Sequence, residues 1–300
     1  MMTTSDPAGT TTPVDATSDA TADAAPAAPA ATSDAAPAIT TAVLLARGLG
    51  SRMRAAGGSD LTPEQAAAAA SGHKALMPIG EHRLIDYSLS ALADAGIRRA
   101  VLVVAPEHEE FAQHIAQLAP TRLDVLFAVQ QEPKGTADAV ASARDAVAGE
   151  PFIMVNGDNL YPGEGIARLL QATGSALLGF ERAALVARSN IPADRIAAFA
   201  LIEQTEGRLE RIVEKPDADT LAAAGEDALV SMNAFAFTPE IFEACARIEP
   251  SPRGELEIVD AVRELGTVQV IPFAGGVLDL SRRDDVDGVE RRLAGVEVAL

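Results

Sequence analysis

The stretch "LLARGLGSRMR", residues 44–54, closes an apolar run with two glycines one residue apart and sets three arginines around them. An apolar run that breaks into Gly-x-Gly reads as a strand feeding a loop whose backbone comes close to a ligand, usually a phosphate. The dinucleotide fingerprint G-x-G-x-x-G is the first reading to test. Gly48 and Gly50 take its first two positions, but the third falls on Met53, and no acidic residue follows at the expected distance. A dehydrogenase reading fails there. Arg52 and Arg54 point instead to backbone N–H groups and a guanidinium fork gathered around a triphosphate.

Outward from this loop, strand-like and helix-like stretches alternate from residue 39 onward. Strands are expected at 42–46, 100–105, 124–130, 152–157, 176–180, 197–203, 208–214, 229–237, 268–273 and 276–280. The early ones are unbroken Val/Ile/Leu/Ala runs, the pattern of strands covered on both faces. Amphipathic helices are expected at 84–96, 107–119, 136–149, 164–173 and 239–248. Such alternation predicts an α/β fold with a mostly parallel central sheet flanked by helices. Within 55–74, Thr62, Pro63 and Gln65 predict a capped helix that Gly72 stops, set inside a long loop that is either a flap or a surface insertion. No hexapeptide repeat marks an appended β-helix.

Composition narrows the functions. With 43 acidic and 24 basic residues the net charge is −19, which argues against nucleic acid and an anionic membrane surface as partners. A polyanionic ligand must therefore be met by a few cations in a cleft. The single cysteine, Cys245, forms no internal disulfide and reads as packing. The four histidines are scattered and form no zinc spacing. Residues 1–38 hold no Lys, Arg, Leu, Ile or aromatic, so a disordered Ala/Thr/Pro/Asp-rich tail is expected ahead of a domain at 39–300. The tail lacks the basic start and apolar core of a secretory signal, and no run is long enough to span a bilayer; a cytoplasmic location is expected.

Several further stretches carry chemistry. "GHKALMPIG" places Lys74 before an apolar turn. "QQEPKGTADAV" sets Gln130 five residues ahead of Gly135, between a strand and a helix, where an amide can read a base edge. "VNGDNLYPG" ends a strand with Gly157 and Asp158, the end at which parallel sheets bind ligands. "VEKP" (213–216), "MNAFAF" (232–237), "SPRGELEIVDAV" (251–262) and "GGVLDLSRRDDV" (275–286) follow. Glu255 and Asp260 of the third read as structural.

In this order, spanning nearly the whole folded part, these motifs resemble the sugar-nucleotide pyrophosphorylases, the sugar-1-phosphate nucleotidyltransferases. The wording is nearest to the glucose-1-phosphate thymidylyltransferases. The resemblance implies a Rossmann-like sheet with a smaller sugar-binding lobe. It implies a reaction that joins a sugar 1-phosphate to a nucleoside triphosphate, dTTP or UTP being favoured, with Mg²⁺ as cofactor, and homo-oligomers as a common state.

Carried onto this chain, the resemblance gives Leu45, Ala46, Gly48, Gly50 and Ser51 to the nucleotide, with Arg52 and Lys74 at the reacting phosphates. Gln130 and Gly135 would read a pyrimidine base, and Thr136 would also bind the nucleotide. Asp158 and Asp279 would hold the metal, and Gly157, Glu214, Lys215 and Asn233 the sugar phosphate. Departures are Arg47 where the family has a small residue, Ser51 for Thr, His73 for Pro, a long 55–73 segment, and Leu278 for an aromatic before Asp279. Two alternatives stay open: a guanylyl- or cytidylyltransferase of the same fold, and a catalytically silent nucleotide-sugar sensor or partner subunit.

Overall fold

The computed structural model describes residues 38–48, 50–54, 61–196, 199–225 and 227–300. All of them fall in one compact unit, Ala36–Leu300. Residues 1–37 of the expected tail, residues 55–60 of the insertion and residues 197–198 of one expected strand lie outside the described residues.

The strands in chain order are β1 (Thr41–Leu45), β2 (Pro78–Ile79), β3 (His82–Arg83), β4 (Arg99–Val104), β5 (Asp124–Val129), β6 (Phe152–Asn156) and β7 (Asn159–Leu160). They continue as β8 (Ala176–Glu181), β9 (Leu201–Thr205), β10 (Arg208–Val213), β11 (Leu229–Phe237), β12 (Gln269–Phe273) and β13 (Leu278–Asp279). Nine of them form one sheet in the order β5-β4-β1-β6-β11-β8-β12-β10-β9. β1 pairs in parallel with both β4 and β6, and β4 with β5. Within β1, Ala42 and Leu44 pack into one apolar layer and Val43 into the other. That alternation is why the run is apolar throughout: both faces are covered.

The sheet is mixed rather than mostly parallel. β11 runs antiparallel to β6, β8 and β9, and β10 antiparallel to β9 and β12. One cause is local. β9 and β10 are joined by Glu206 and Gly207, both at positive φ (52° and 76°). A two-residue turn of that kind returns the chain as a hairpin and fixes antiparallel pairing.

The expected helices form at Leu84–Ala95, Glu109–Leu118, Gly163–Leu169 and Glu240–Arg247, and the 136–149 stretch divides into Thr136–Ser142 and Arg144–Val147. Pro63–Ser71 is a helix with a complete Thr62/Gln65 capping box, stopped by Gly72 at φ 82°. A third apolar cluster, including Met53, Met77, Ile79, Leu280 and Val289, ties the segment after the glycine loop to the C-terminal helix Val286–Leu293. No described helix is long and apolar enough to cross a membrane.

Candidate active site

The carboxyl ends of β1 and β6 and the loop after β5 open onto a cavity of about 360 Å³. Of the residues singled out from sequence, Leu45, Ala46, Gly48, Lys74, Gln130, Gly135, Thr136, Gly157, Asp158 and Asn233 line it. Arg47, Gly72, Asn156 and Glu255 add to the wall.

The backbone explains the glycines. Gly157 N–H donates to Leu45 O at 2.9 Å, and a Cβ there would sit 3.0 Å from that oxygen. Gly135 is at φ 117°, and a Cβ on it would meet Leu256 O at 2.4 Å. Around it, Leu256 N–H donates to Lys134 O at 2.7 Å and Ala137 N–H to Leu256 O at 2.8 Å. Thr136 Oγ1 accepts from Ile258 N–H at 2.8 Å. Close packing thus brings the "RGELEIVDAV" segment against the loop around Gly135 and carries Glu255 into the wall, a placement beyond the structural role read from sequence. Gly50, at φ 59°, is pressed on Gly72 with no room for a Cβ.

At one side of the cavity Lys74 Nζ lies 2.6 Å from Asp158 Oδ2. The Lys74 side chain is 15% exposed and that of Asp158 29%, so both remain within reach of a ligand. At another side, Gln130 is almost fully buried. Its Nε2 donates to Gly135 O at 3.0 Å and to Asp138 Oδ2 at 2.8 Å. Both donor hydrogens are spent on acceptors, and turning the amide over would set oxygen against oxygen. Gln130 therefore offers a ligand an acceptor only. Sequence reasoning left both capacities open and missed Asp138, whose i, i+8 spacing to Gln130 across a strand–helix junction carries no local signal.

Asn233 stands at φ 55° inside β11, where the register against β8 shifts between Ser231 and Phe235. The irregularity turns Asn233 into the wall, as bulges near sites commonly re-aim a side chain, and Asn tolerates this backbone better than most residues.

Arg52, Gly50, Ser51, Glu214, Lys215 and Asp279 are not part of the wall. Ser51 and Arg52 are exposed on the short helix Ser51–Arg54. Glu214 and Lys215 are exposed just past β10. Glu214 lies close enough to Glu257 to act on it: burial raises that carboxyl, and Glu255 and Glu214 add to the rise against Arg253. Asp279 is buried beneath Asp158. The β7–β13 pairing sets Asp279 opposite Asn159, and Leu280 N–H donates to Asp158 O at 3.0 Å. Its carboxylate pairs with Arg195 and accepts from Ser281 Oγ at 2.9 Å. Burial, then the charge of Asp158, push the Asp279 carboxyl up to about 6, with Arg195 opposing. Arg195 also bonds Asp285, and nothing in "IPADRI" announced that role.

Among the described residues no three potential metal ligands converge. Mg²⁺ needs no such cage, since it keeps several waters and is commonly held by one or two carboxylates and substrate phosphates. The Asp158 carboxylate fits that demand, because it is open to the cavity. Asp279 is buried on Arg195 and does not line the cavity.

Residues 41–270 match the nucleotidyl transferase family model. The chain belongs to this family. It is 30% identical to the low-salt glycan biosynthesis nucleotidyltransferase Agl11 of Haloferax volcanii, over 74% of this chain and 56% of that protein. It is 27% identical to the UTP--glucose-1-phosphate uridylyltransferase AglF of the same organism, over 84% and 96%. It is 30% identical to a glucose-1-phosphate thymidylyltransferase of Xanthomonas campestris, over 68% and 66%. The chain thus spans little more than half the length of Agl11. In fold it is similar to a UDP-glucose pyrophosphorylase solved with UDP-glucose, at TM-score 0.67 and 17% identity, over 86% of this chain and all of that one. The family expected from the motifs is the family found.

Proposed function

We propose that the chain transfers a nucleotidyl group from a nucleoside triphosphate, dTTP or UTP, to a sugar 1-phosphate, releasing pyrophosphate. The observation that carries this is the placement of Lys74 and Asp158, paired and open to ligand, between the Gly48 loop and the Gln130–Gly135 loop. The relatives named for uridylyl and thymidylyl transfer support it.

In this reading the triphosphate lies along the backbone of Ala46–Gly48, its base toward Gln130, Gly135 and Thr136. A sugar-phosphate oxygen attacks the α-phosphorus, and the bond to the pyrophosphate oxygen breaks. No covalent enzyme intermediate is needed. The protein's part is to align two anions and to balance charge. Lys74 Nζ, now on Asp158, turns to the phosphate oxygens. Arg52 meets the departing pyrophosphate when the exposed helix Ser51–Arg54 closes on it. Lys215 and Glu214 take the phosphate and a hydroxyl of the sugar, with Asn233 beside them. Mg²⁺ on Asp158 would supply Lewis-acid charge neutralisation.

The domain runs over 39–300, with a Rossmann-like first half, β5-β4-β1-β6, and a smaller sugar-binding lobe from the later part. Residues 1–38 serve as a solubilising extension. Homo-oligomerisation and a cytoplasmic location complete the reading. The test is pyrophosphate release with Mg²⁺ across a matrix of triphosphates and sugar 1-phosphates. Release that requires both substrates is expected. A folded protein silent across the matrix would refute it.

A further inference from the structure

Arg47 stands immediately before Gly48 and lines the cavity, where the resembled family carries a small residue. Its guanidinium does not reach the Lys74–Asp158 pair for a partner. Nη2 donates to Gln131 O at 3.1 Å, on the loop that begins with Gln130. Nη1 is sealed from solvent and has no hydrogen-bond partner among the described residues. A buried donor without an acceptor is unfavourable, and such groups mark places where an acceptor is supplied by something else.

The neighbouring amide says what that acceptor is. Gln130 has spent both N–H donors on Gly135 O and Asp138 Oδ2, leaving Oε1 as an acceptor. Gln130 therefore takes a base N–H and gives nothing to a base carbonyl. Thymine and uracil present a ring N–H flanked by carbonyls, so a second, donating group is needed to read them. Arg47, anchored on the next residue's carbonyl, is a donor in surplus at that place. We infer that Arg47 is a nucleobase-specificity residue: on binding, Nη1 turns to a ring carbonyl beside the N–H taken by Gln130 and donates to it. This rests on the nucleotidyltransferase reading and adds to it which residue selects the base. Because Arg is planar and carries several donors, it can keep a bond to Gln131 O while donating to the base.

The experiment is calorimetric titration of the full chain and of Arg47→Ala and Arg47→Lys with dTMP, dTTP and dCTP, alongside KM for the sugar 1-phosphate. Circular dichroism confirms that the variants fold. Arg47→Ala is expected to weaken dTMP and dTTP by the same factor, about tenfold or more, as for one lost hydrogen bond to a charged donor. The preference for dTTP over dCTP narrows by a similar factor, the sugar-phosphate KM stays within about twofold, and Arg47→Lys recovers only part of the loss. A loss confined to the triphosphate would make Arg47 a phosphate contact and overturn the inference. So would unchanged or tighter binding, which would make it a spectator or an obstruction. In both cases the functional reading survives. A wild-type chain that binds none of the three nucleotides would overturn the functional reading and this inference with it.

Discussion

Gly135→Ala separates the demands of the fold from those of the site, and its cost can be worked from the structure. The residue is at φ 117° and ψ −179°, a conformation that L side chains rarely adopt. Forcing one there costs roughly 1–3 kcal/mol. The new Cβ would stand 2.4 Å from Leu256 O and 2.7 Å from Leu256 N, both backbone atoms. Ordinary contact begins near 3.4 Å, so the two segments must part by about 1 Å (3.4 − 2.4). That separation strains the 2.7 Å Leu256–Lys134 and 2.8 Å Ala137–Leu256 hydrogen bonds, each worth about 1 kcal/mol net. The sum is on the order of 3–5 kcal/mol, a large share of a typical 5–15 kcal/mol stability. A domain of this size should lose roughly 6–15 °C in Tm. The same displacement moves Glu255 away from the cavity and releases the Gly135 carbonyl that holds Gln130, so nucleotide KM should rise at least tenfold at temperatures where the variant is folded. Thermal denaturation and steady-state kinetics at about 15 °C measure the two effects separately. A variant with unchanged Tm and unchanged nucleotide KM would refute the close-packing argument outright.

Asp158→Asn removes one charge at constant shape; turnover should fall by about 10³-fold or more, while Tm moves by no more than a few degrees because the Lys74 pair is partly exposed. Pyrophosphate release and a melting curve read both, and near-normal turnover would take Asp158 out of the chemistry. Asp138→Ala frees the Gln130 amide to rotate, since its Nε2 loses the 2.8 Å bond; nucleotide KM should rise several-fold with the sugar-phosphate KM unchanged, and an equal rise in both would place Asp138 in general packing instead. Burial pushes the Cys245 thiol up to about 12 from an ordinary 9. At pH 8 the folded protein should therefore show essentially no reaction with a chromogenic disulfide, and one thiol should appear in denaturant. The sign for stability follows: the raised thiol contributes below pH 9 and loses that contribution as pH climbs from 9 toward 12, so alkaline melting should be earlier in the wild type than in Cys245→Ala, relative to their values at pH 8.

What could be read from residues alone was what the backbone dictates within a few positions. The apolar run of β1 announced a doubly covered strand because Ala42, Val43 and Leu44 face alternate layers, and both layers need apolar neighbours. Gly50, Gly135 and Gly157 were legible because a turn or a close approach forbids a side chain, and that prohibition leaves a mark in the sequence. The antiparallel half was less legible, although its cause was present: Glu206-Gly207 is a tight-turn signal, read here only as a gap between two strands. Long-range pairing left no mark at all. Asp138 looks like any acidic residue in the first turn of a helix, and only the fold shows that it decides which face Gln130 presents. Arg195 is one basic residue in "IPADRI", yet it occupies the Asp279 carboxylate that the family resemblance offers to a metal. Arg47 was visible as an odd residue in a small-residue loop, but its meaning needed two facts from three dimensions. One is a donor with no acceptor among the described residues, and the other is a neighbouring amide with no donor left to give. Side chains that act through what they lack are invisible to a motif, because a motif records only what is present.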